Sequence, residues 1–354
     1  MTDKRNYSLD LFRIFLTLMI CTLHILGQGG ILKVSIGTSN SFFFWIVNAV
    51  CICAVDGYGL LTGFHASTKA TNYQKLIFLW FQVFFYSALL TIGFKVIKPD
   101  LIPINTVIKS LFPLTMGIYW YFSAYFALYI LSPYINKFLF SLKKNEILRL
   151  SITLILLFCG LNVINDCFSA CKGFSVIWLI CLYVFGYTLK VYINDIQLSK
   201  IKIIFIILLL SLISVIPQQL FDIQRLLIYV SPTILCIAVL LFILFYNLSI
   251  PNTFVKFIKY LSPLTFGIYL FQNSPIIWQL IRNQAAWINQ FPIATAMLLL
   301  LLISVVLFAC GTIVELCRAT IFKLLNINQL SEFITKKCKS TVNFLVNQFS
   351  KHLN

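Results

Sequence analysis

Long apolar stretches recur along the whole chain, and they limit its fold more than any other feature. An α-helix needs about 20 apolar residues to cross the hydrocarbon core of a bilayer. Backbone groups in lipid must hydrogen-bond within the protein, so only helices and closed barrels span a membrane. These stretches are too long and too continuous for barrel strands. The sequence therefore predicts an all-α, polytopic membrane helical bundle.

The composition excludes a soluble protein. The 354 residues are 60% hydrophobic and 10% charged, whereas a soluble domain carries about 25% charged residues. The net charge of +17 is typical of the Lys and Arg that collect in cytoplasmic loops of membrane proteins. We therefore expect membrane lipid, and no nucleic acid, as a partner.

We predict about ten transmembrane helices with both termini in the cytoplasm. This topology places 19 of the 27 Lys and Arg in inside segments and seven in outside loops, and the loop 95–113 with its three lysines fits it least. We divide the chain into a transmembrane domain, 1–317, and a basic amphipathic tail, 318–354, predicted to lie as a helix on the inner membrane surface. The predicted spans are 10–27, 42–64, 75–94, 114–135, 150–165, 174–190, 203–217, 226–247, 262–281 and 293–317.

The first span, in "RNYSLDLFRIFLTLMICTLHI" (residues 5–25), carries ionisable residues inside its apolar stretch. Such residues are rare in membranes and mark functional sites. Asp10 and Arg13 are alternatively interfacial anchors, and His24 is alternatively a hydrogen-bonded packing residue. We expect the opposite, apolar face of this helix to meet lipid. At about 100° per residue, five residues share the polar face: Asp10, Arg13, Thr17, Cys21 and His24.

The second span contains "VDGYGLLTGF" from residue 55. Asp56 lies at about the depth of Arg13 when the two helices run in opposite directions. A buried carboxylate requires a cation, and Arg binds it with two parallel hydrogen bonds. We therefore predict that Arg13 and Asp56 pair. Three glycines allow another helix or a ligand to approach closely: Gly57, Gly59 and Gly63.

Two later segments place further polar and aromatic groups in the membrane. "WYFSAYFALYILSPYIN" from Trp120 holds tyrosines spaced by four, which indicate either an aromatic belt with core packing or a surface on which sugar rings stack. The stripe consists of Tyr121, Tyr125 and Tyr129. In "SPLTFGIYLFQNSPIIW" from residue 262, Gln272, Asn273 and Ser274 stand beside Pro275 and predict a polar kink facing the interior.

Two remaining features concern helix ends. "PLTMGIYWY" from Pro113 and "PLTFGIYLF" from Pro263 are near copies. Each is predicted to open a span, because Pro suits a first helical turn, either as part of an inverted repeat or independently. Glu315 and Arg318 are predicted to form an interfacial pair at the inner end of the last span.

Four of these stretches resemble the acyltransferase-3 family of integral membrane acyltransferases. They are "LDLFRIFLTLMICTLH", "VDGYGLLTGF", "WYFSAYFALYILSPYIN" and "LSPLTFGIYLFQNSP". Their order and spacing are similar to the family pattern over almost the whole chain. Two departures stand out: Tyr58-Gly59 and Thr62 replace the family's paired Phe and its Ser, and Gln272 stands where the family often has His.

The resemblance implies transfer of an acyl group, commonly acetyl from acetyl-CoA, to a hydroxyl of a cell-surface carbohydrate such as an O-antigen or its lipid-linked precursor. It implies a multi-pass protein of the bacterial cytoplasmic membrane. Transfer from a thioester needs a base for the acceptor hydroxyl and positive charge at the oxyanion. We predict His24 as the base, Arg13 as the group that holds the CoA phosphates, and Asp56 as the residue that fixes Arg13.

Six further residues are predicted to contact substrate: Asp10, Tyr58, Thr62, Trp120, Tyr121 and Gln272. No metal and no bound cofactor are expected, with acyl-CoA as a donor substrate. Two other classes stay open on the sequence, a transporter or flippase for a polar or saccharide substrate and a structural or sensing subunit. The acyl group, the acceptor hydroxyl and the oligomeric state are not fixed.

Overall fold

The computed structural model describes residues 5–68, 71–162 and 165–353, with side chains described except at 101 and 342–353. Every regular element in these ranges is helical, as predicted. The α-helices are α1 Tyr7–Gly27, α2 Ile31–Ser35, α3 Ser41–Ile52, α4 Ala54–Phe64, α5 Tyr73–Phe84, α6 Leu90–Ile97, α7 Ile104–Ser110, α8 Trp120–Ser141, α9 Lys144–Ile155, α10 Val176–Tyr192, α11 Lys200–Phe221, α12 Pro232–Tyr246, α13 Asn252–Leu261, α14 Thr265–Gln272, α15 Pro275–Ile281, α16 Ile293–Leu324 and α17 Ile327–Leu353.

Seven helical segments in the described ranges are long and apolar enough to cross a membrane. The protein is therefore a multi-pass membrane protein. The segments are Tyr7–Gly27, Ser41–Phe64, Tyr73–Ile97, Val176–Asp195, Lys200–Phe221, Asn252–Gln272 and Ile293–Leu324.

The other predicted spans correspond to helices that are shorter or more polar. α12 has 15 residues, and α8 carries tyrosines, serines and Asn136 along its length. The ninth predicted span, 262–281, has the wrong bounds, because the membrane-length segment begins at Asn252 and ends at Gln272. The count of ten spans and the side of each terminus stay predictions.

The first helix lies at the centre of the bundle. Asn6 starts it by accepting hydrogen bonds from the amides of Ser8 and Leu9, which would otherwise lack partners. Helices α3, α4, α12, α13, α14 and α16 all contact α1. Phe12 and Leu16 on its apolar side are fully buried. The prediction that this side meets lipid is wrong, because protein surrounds the helix.

Helices α4 and α10 form the closest pair in the bundle, through two glycines. A Cβ at Gly63 would overlap the carbonyl oxygen of Tyr183, and a Cβ at Gly186 would overlap that of Leu60. Each glycine thus lets the backbone of the other helix approach without a side chain between them, as small residues do in membrane helix pairs.

Gly186→Ala is expected to destabilise the protein by about 3 kcal/mol, because a methyl group would meet backbone that cannot rotate away. Gly93→Ala is the matched control, since nothing lies within 4 Å of a Cβ there. The control should change stability by less than about 1 kcal/mol, and in the stabilising direction. Thermal unfolding in detergent measures both, and equal midpoints for the two variants would contradict the packing described.

The two near-copies adopt different structures. Residues 113–119 form consecutive turns, and α8 begins only at Trp120. The second copy forms a short 3₁₀ turn, Ser262–Leu264, that leads directly into α14. The prediction that each copy opens a span is wrong. In the first copy Gly117 takes a left-handed conformation with φ of 59°, and the second copy lies inside the segment Asn252–Gln272, where it precedes α14 but does not begin the span.

Glu315 and Arg318 form the predicted pair, and protein surrounds it. Both side chains are almost fully buried, and the Arg318 guanidinium donates two hydrogen bonds to the Glu315 carboxylate. Tyr86 and Gln82 donate to the same carboxylate at 2.8 and 3.1 Å. The i,i+3 spacing did not reveal these partners from a neighbouring helix, and the location of the pair at the inner interface stays a prediction.

The predicted tail is helical in its described residues except for a turn at Leu325 and Asn326. α16 continues past residue 317 to Leu324, and α17 follows and packs against α5. Ser331 and Thr335 are buried at this contact. The placement of the tail on the inner membrane surface and the domain division at 317 stay predictions.

Candidate active site

Two cavities lie on the same three helices, α1, α4 and α8. One is lined by His24 and is called the His24 cavity; its volume is about 350 Å³. The other is lined by Arg13 and is called the Arg13 cavity; its volume is about 380 Å³. The polar face of α1 therefore serves two separate spaces.

His24 projects into its cavity from the last turns of α1. Its Nδ1 is buried without a hydrogen-bond partner, and its ring packs edge-on against Trp278 at 5.4 Å between centroids. Gln272 lies close enough to interact with the ring, but no hydrogen bond of standard geometry joins the two side chains. The imidazole is thus positioned by packing and keeps a nitrogen unpaired.

The predicted polar kink is confirmed. α14 ends at Gln272 and α15 begins at Pro275, so the chain breaks between them, and Gln272 and Ser274 are fully buried. Buried polar atoms nearly always find partners in folded proteins. Around this break, and among the described residues, several have no hydrogen bond of standard geometry: His24 Nδ1, Tyr119 Oη, Tyr269 Oη, both Gln272 amide atoms, Ser274 Oγ and Trp278 Nε1. Tyr119 and Ser274 lie close enough to interact with each other. His24, Tyr269 and Trp278 line the His24 cavity, and their unpaired polar atoms favour a polar ligand there.

Aromatic rings form much of the wall of the His24 cavity. Trp120 lies nearly parallel to Tyr229 at 5.9 Å and contacts Phe174 at 4.6 Å. Tyr121 contacts the Tyr269 ring at 6.0 Å. Trp120 and Tyr121 thus lie at the cavity, where the sequence predicted a substrate surface. Apolar walls with a few convergent polar groups are typical of small-molecule sites.

The Arg13 cavity is more polar. It is lined by Arg13 and Lys75 together with hydroxyl and amide groups such as Tyr125, Tyr129 and Asn136. Burial lowers the pKa of His65, also on its wall, and the nearby positive charges of Arg13 and Lys190 lower it further. His65 is therefore neutral at pH 7.

Asp10 lies behind Arg13 and is not among the residues that line the Arg13 cavity. Its carboxylate is 3.5 Å from the Arg13 guanidinium, accepts a hydrogen bond from Arg5 at 2.6 Å and another from Ser262 at 3.0 Å. These contacts hold Asp10 in place. Its predicted contact with substrate stays a prediction, and the structure gives it a role in holding Arg13.

The predicted pair of Arg13 and Asp56 is wrong. Asp56 is fully buried, and its Oδ1 accepts a hydrogen bond at 3.0 Å from Nε1 of Trp178 on α10, while Oδ2 has no partner. Arg13 instead meets Asp10 on its own helix. Similar depth does not fix the direction of a side chain around its helix, and α4 directs Asp56 toward α10.

Tyr58 and Thr62 lie one turn apart on α4 and face different cavities. Tyr58 lines the His24 cavity and Thr62 lines the Arg13 cavity. The tyrosine stripe on α8 divides in the same way, with Tyr121 at the His24 cavity and its two successors at the Arg13 cavity. The segments "VDGYGLLTGF" and "WYFSAYFALYILSPYIN" therefore each line both the His24 cavity and the Arg13 cavity.

Comparison with known proteins agrees with these features. A family model described as an acyltransferase domain, that of the acyltransferase 3 family, matches residues 6–315. The chain belongs to the acyltransferase 3 family. The protein is accordingly a membrane acyltransferase. No curated protein and no solved structure matches the chain.

Within this acyltransferase, Gln272 can donate and accept hydrogen bonds but cannot exchange a proton. Of the residues described around the His24 cavity, His24 alone carries an imidazole, carboxylate or amine. An imidazole titrates near neutral pH and is suited to proton transfer. His24 is therefore the candidate general base among the residues described around this cavity.

Several residues of the candidate site were not predicted from the sequence. Trp278 on α15 packs against His24. It lies three residues after Pro275, so its closeness to the predicted kink was a signal that could have identified it. Lys75 was used only as a charge in the topology, although it lies in the first turn of α5. Tyr229 and Phe174 lie in connecting segments whose sequences carry no motif, and only the fold brings them to Trp120.

Proposed function

We propose that the protein transfers an acyl group, acetyl in the first place, from acyl-CoA in the Arg13 cavity to a carbohydrate hydroxyl in the His24 cavity. One observation carries the proposal. The two cavities lie on the same three helices, with a base in one and a guanidinium in the other. Family membership supports acyl transfer over the transporter and the structural interpretations.

The length of CoA supports the donor assignment. Arg13 and His24 are eleven residues apart, or about 16 Å along the helix. The arm between the CoA diphosphate and its thiol has about twelve bonds, as many as about four extended residues, and spans about 14 Å. Phosphates held by Arg13 and Lys75 would thus place the thioester close to His24.

In the proposed reaction, acyl transfer takes place at His24. His24 takes the proton of the acceptor hydroxyl, and the oxygen attacks the thioester carbonyl carbon. A C–O bond forms, the C–S bond breaks, and the CoA thiolate leaves and takes the proton from His24. The product is an acyl ester, and no oxidant or reductant is required.

The unpartnered donors beside His24 supply groups for the oxyanion. Trp278 Nε1 and the Gln272 amide are buried and have no hydrogen-bond partners. Preorganised donors of this kind stabilise the charge that develops on the carbonyl oxygen. We assign this task to Trp278, which lines the His24 cavity. Gln272 is fully buried beside the His24 ring and is not among the residues described around the cavity, so we assign it to positioning the imidazole, and its contact with substrate stays a prediction.

The acceptor is best accounted for as a sugar. Trp120 and Tyr229 offer nearly parallel rings, and Asn48 and Asn273 add amides to the same wall. Flat apolar faces with a few polar groups suit a pyranose ring. We propose a surface polysaccharide such as an O-antigen or its lipid-linked precursor, with the protein in the bacterial cytoplasmic membrane and the Arg13 cavity toward the cytoplasm.

Arg13→Gln is expected to raise the KM for acyl-CoA about 10- to 100-fold with little change in kcat, because a charged hydrogen bond to phosphate is worth about 1.5–3 kcal/mol. Release of the CoA thiol by purified protein measures it. The difference from wild type should vanish with acyl-pantetheine, which lacks the nucleotide phosphates. Arg149→Gln, an exposed position outside both cavities, is the control.

Two outcomes would contradict the proposal. An unchanged KM for acyl-CoA in Arg13→Gln would remove the donor from the Arg13 cavity. Wild-type protein that releases no thiol from any acyl-CoA while it moves a saccharide across vesicles would favour the transporter interpretation.

A further inference from the structure

A single layer of side chains separates the two cavities. On α1, Arg13 faces one cavity and His24 the other, and Thr17, fully buried, lies between them. None of the residues described around one cavity lines the other. The layer consists of Thr17, Tyr58 and Tyr121, one from each of α1, α4 and α8, and it is about one helical turn thick.

The Tyr58 hydroxyl holds this layer together through hydrogen bonds to α1. It lies 2.6 Å from Thr17 Oγ1 and 3.0 Å from the carbonyl oxygen of Arg13, to which Thr17 also donates at 2.9 Å. The Tyr58 ring meets the edge of the Tyr121 ring at 6.3 Å.

We propose that Tyr58 is the specificity-determining residue that selects the acyl group by size. The inference rests on the proposed function, since the thioester must pass from the Arg13 cavity to His24. In the structure the layer is closed. The Tyr58 ring must therefore turn away from Thr17 for the acyl group to pass, and the opening is bounded by Thr17 and Tyr121.

The neighbours of the layer limit that opening. Thr17 is held by its hydrogen bond to the backbone of its own helix, and Tyr121 is held between Tyr58 and Tyr269. Gly57, which precedes Tyr58, packs so closely on Leu16 that a Cβ there would overlap it. An acetyl group fits through a gap made by one turned ring, whereas an acyl group of larger cross-section, such as benzoyl, requires a wider one.

Tyr58→Ala is expected to lower the preference for acetyl-CoA over benzoyl-CoA at least tenfold, as measured by the ratio of the two kcat/KM values, because benzoyl has the larger cross-section. Tyr58→Phe keeps the ring and should change this ratio less than threefold. Tyr134→Ala is the control, because this tyrosine lies on α8 but is 73% exposed. A wild-type ratio in folded Tyr58→Ala protein would overturn the proposal.

Where Tyr58→Ala does not fold, Tyr58→Leu takes its place with the same expected direction. A second measurement does not depend on catalysis. Leu23 lines the His24 cavity, and Leu23→Cys introduces a thiol there. A membrane-impermeant maleimide applied from the side of the Arg13 cavity, and read by mass spectrometry at position 23, should label it at least tenfold faster in Tyr58→Ala than with Tyr58 intact.

The two measurements separate the possible failures. If wild-type protein transfers no acyl group from any CoA thioester, the proposed function is wrong, and the labelling rates decide whether Tyr58 closes the layer. Equal labelling with and without Tyr58 shows that Tyr58 does not close the layer and overturns the inference, whatever the acyltransferase activity.

Discussion

Replacing His24 with Asn is expected to lower kcat for acyl transfer about 10²- to 10⁴-fold, the contribution of a positioned general base. Asn fills part of the same space and forms hydrogen bonds, but it cannot take the hydroxyl proton. The KM for acyl-CoA should change little, because the proposed phosphate site at Arg13 lies about 16 Å away along α1. Thiol release and acceptor acylation by purified protein measure the effect.

Thr22→Val is the matched control for this variant. Thr22 lies two residues before His24 on α1, is buried, and bonds to Leu18 of its own helix. It lines neither cavity, and Val keeps its shape. Full activity in His24→Asn would remove His24 from the chemistry. Equal losses in both variants would show instead that α1 tolerates no change.

Glu315→Ala is expected to destabilise the protein by about 3–5 kcal/mol, since it leaves the Arg318 charge buried without its partner. Tyr86 and Gln82 would lose their acceptor in the same step. The matched control is Glu332→Ala, which removes a carboxylate that pairs with Lys336 at the surface and should leave the unfolding midpoint nearly unchanged, because water screens exposed ion pairs.

The double variant Glu315→Met with Arg318→Met tests the cause. It removes both charges and should recover most of the stability lost in Glu315→Ala, because an apolar pair of similar volume often replaces a buried ion pair without loss. Thermal unfolding in detergent measures all three proteins. A double variant as unstable as Glu315→Ala would show that the hydrogen bonds, and not the unpaired charge, account for the loss.

Features that depend on one helix could be predicted from the sequence. The angular spacing on α1 correctly grouped Arg13 and His24 on one side, and both line cavities. The polar residues before Pro275 correctly predicted a break that faces the interior. Such features follow from helical geometry and from the cost of polar groups in lipid.

Features that depend on two helices were predicted poorly. Similar depth in the membrane suggested Arg13 as the partner of Asp56. The orientation of α4 about its own axis instead directs Asp56 to Trp178, which donates a hydrogen bond to it. Glu315 and Arg318 were identified as a pair, but their burial depends on Tyr86 and the helix that carries it. Hydropathy does not encode the rotation of one helix against another.

The two near-copies show the same limit within a single segment. "PLTMGIYWY" forms turns before α8, and "PLTFGIYLF" enters α14. Gly267 in the second copy packs against the Glu315 carboxylate, where a Cβ would overlap it. A tertiary contact of this kind overrides a local propensity, because propensities are weak beside packing.

The contact of α4 with α10 decides which parts of the bundle can move. Two backbones in contact through Gly63 and Gly186 resist sliding past each other, so we expect these helices to move together. Trp178 and Asp56, one on each helix and joined by a hydrogen bond, should then keep their separation during turnover. We expect motion in the catalytic cycle on the opposite flank of α4, where Tyr58 contacts the central helix.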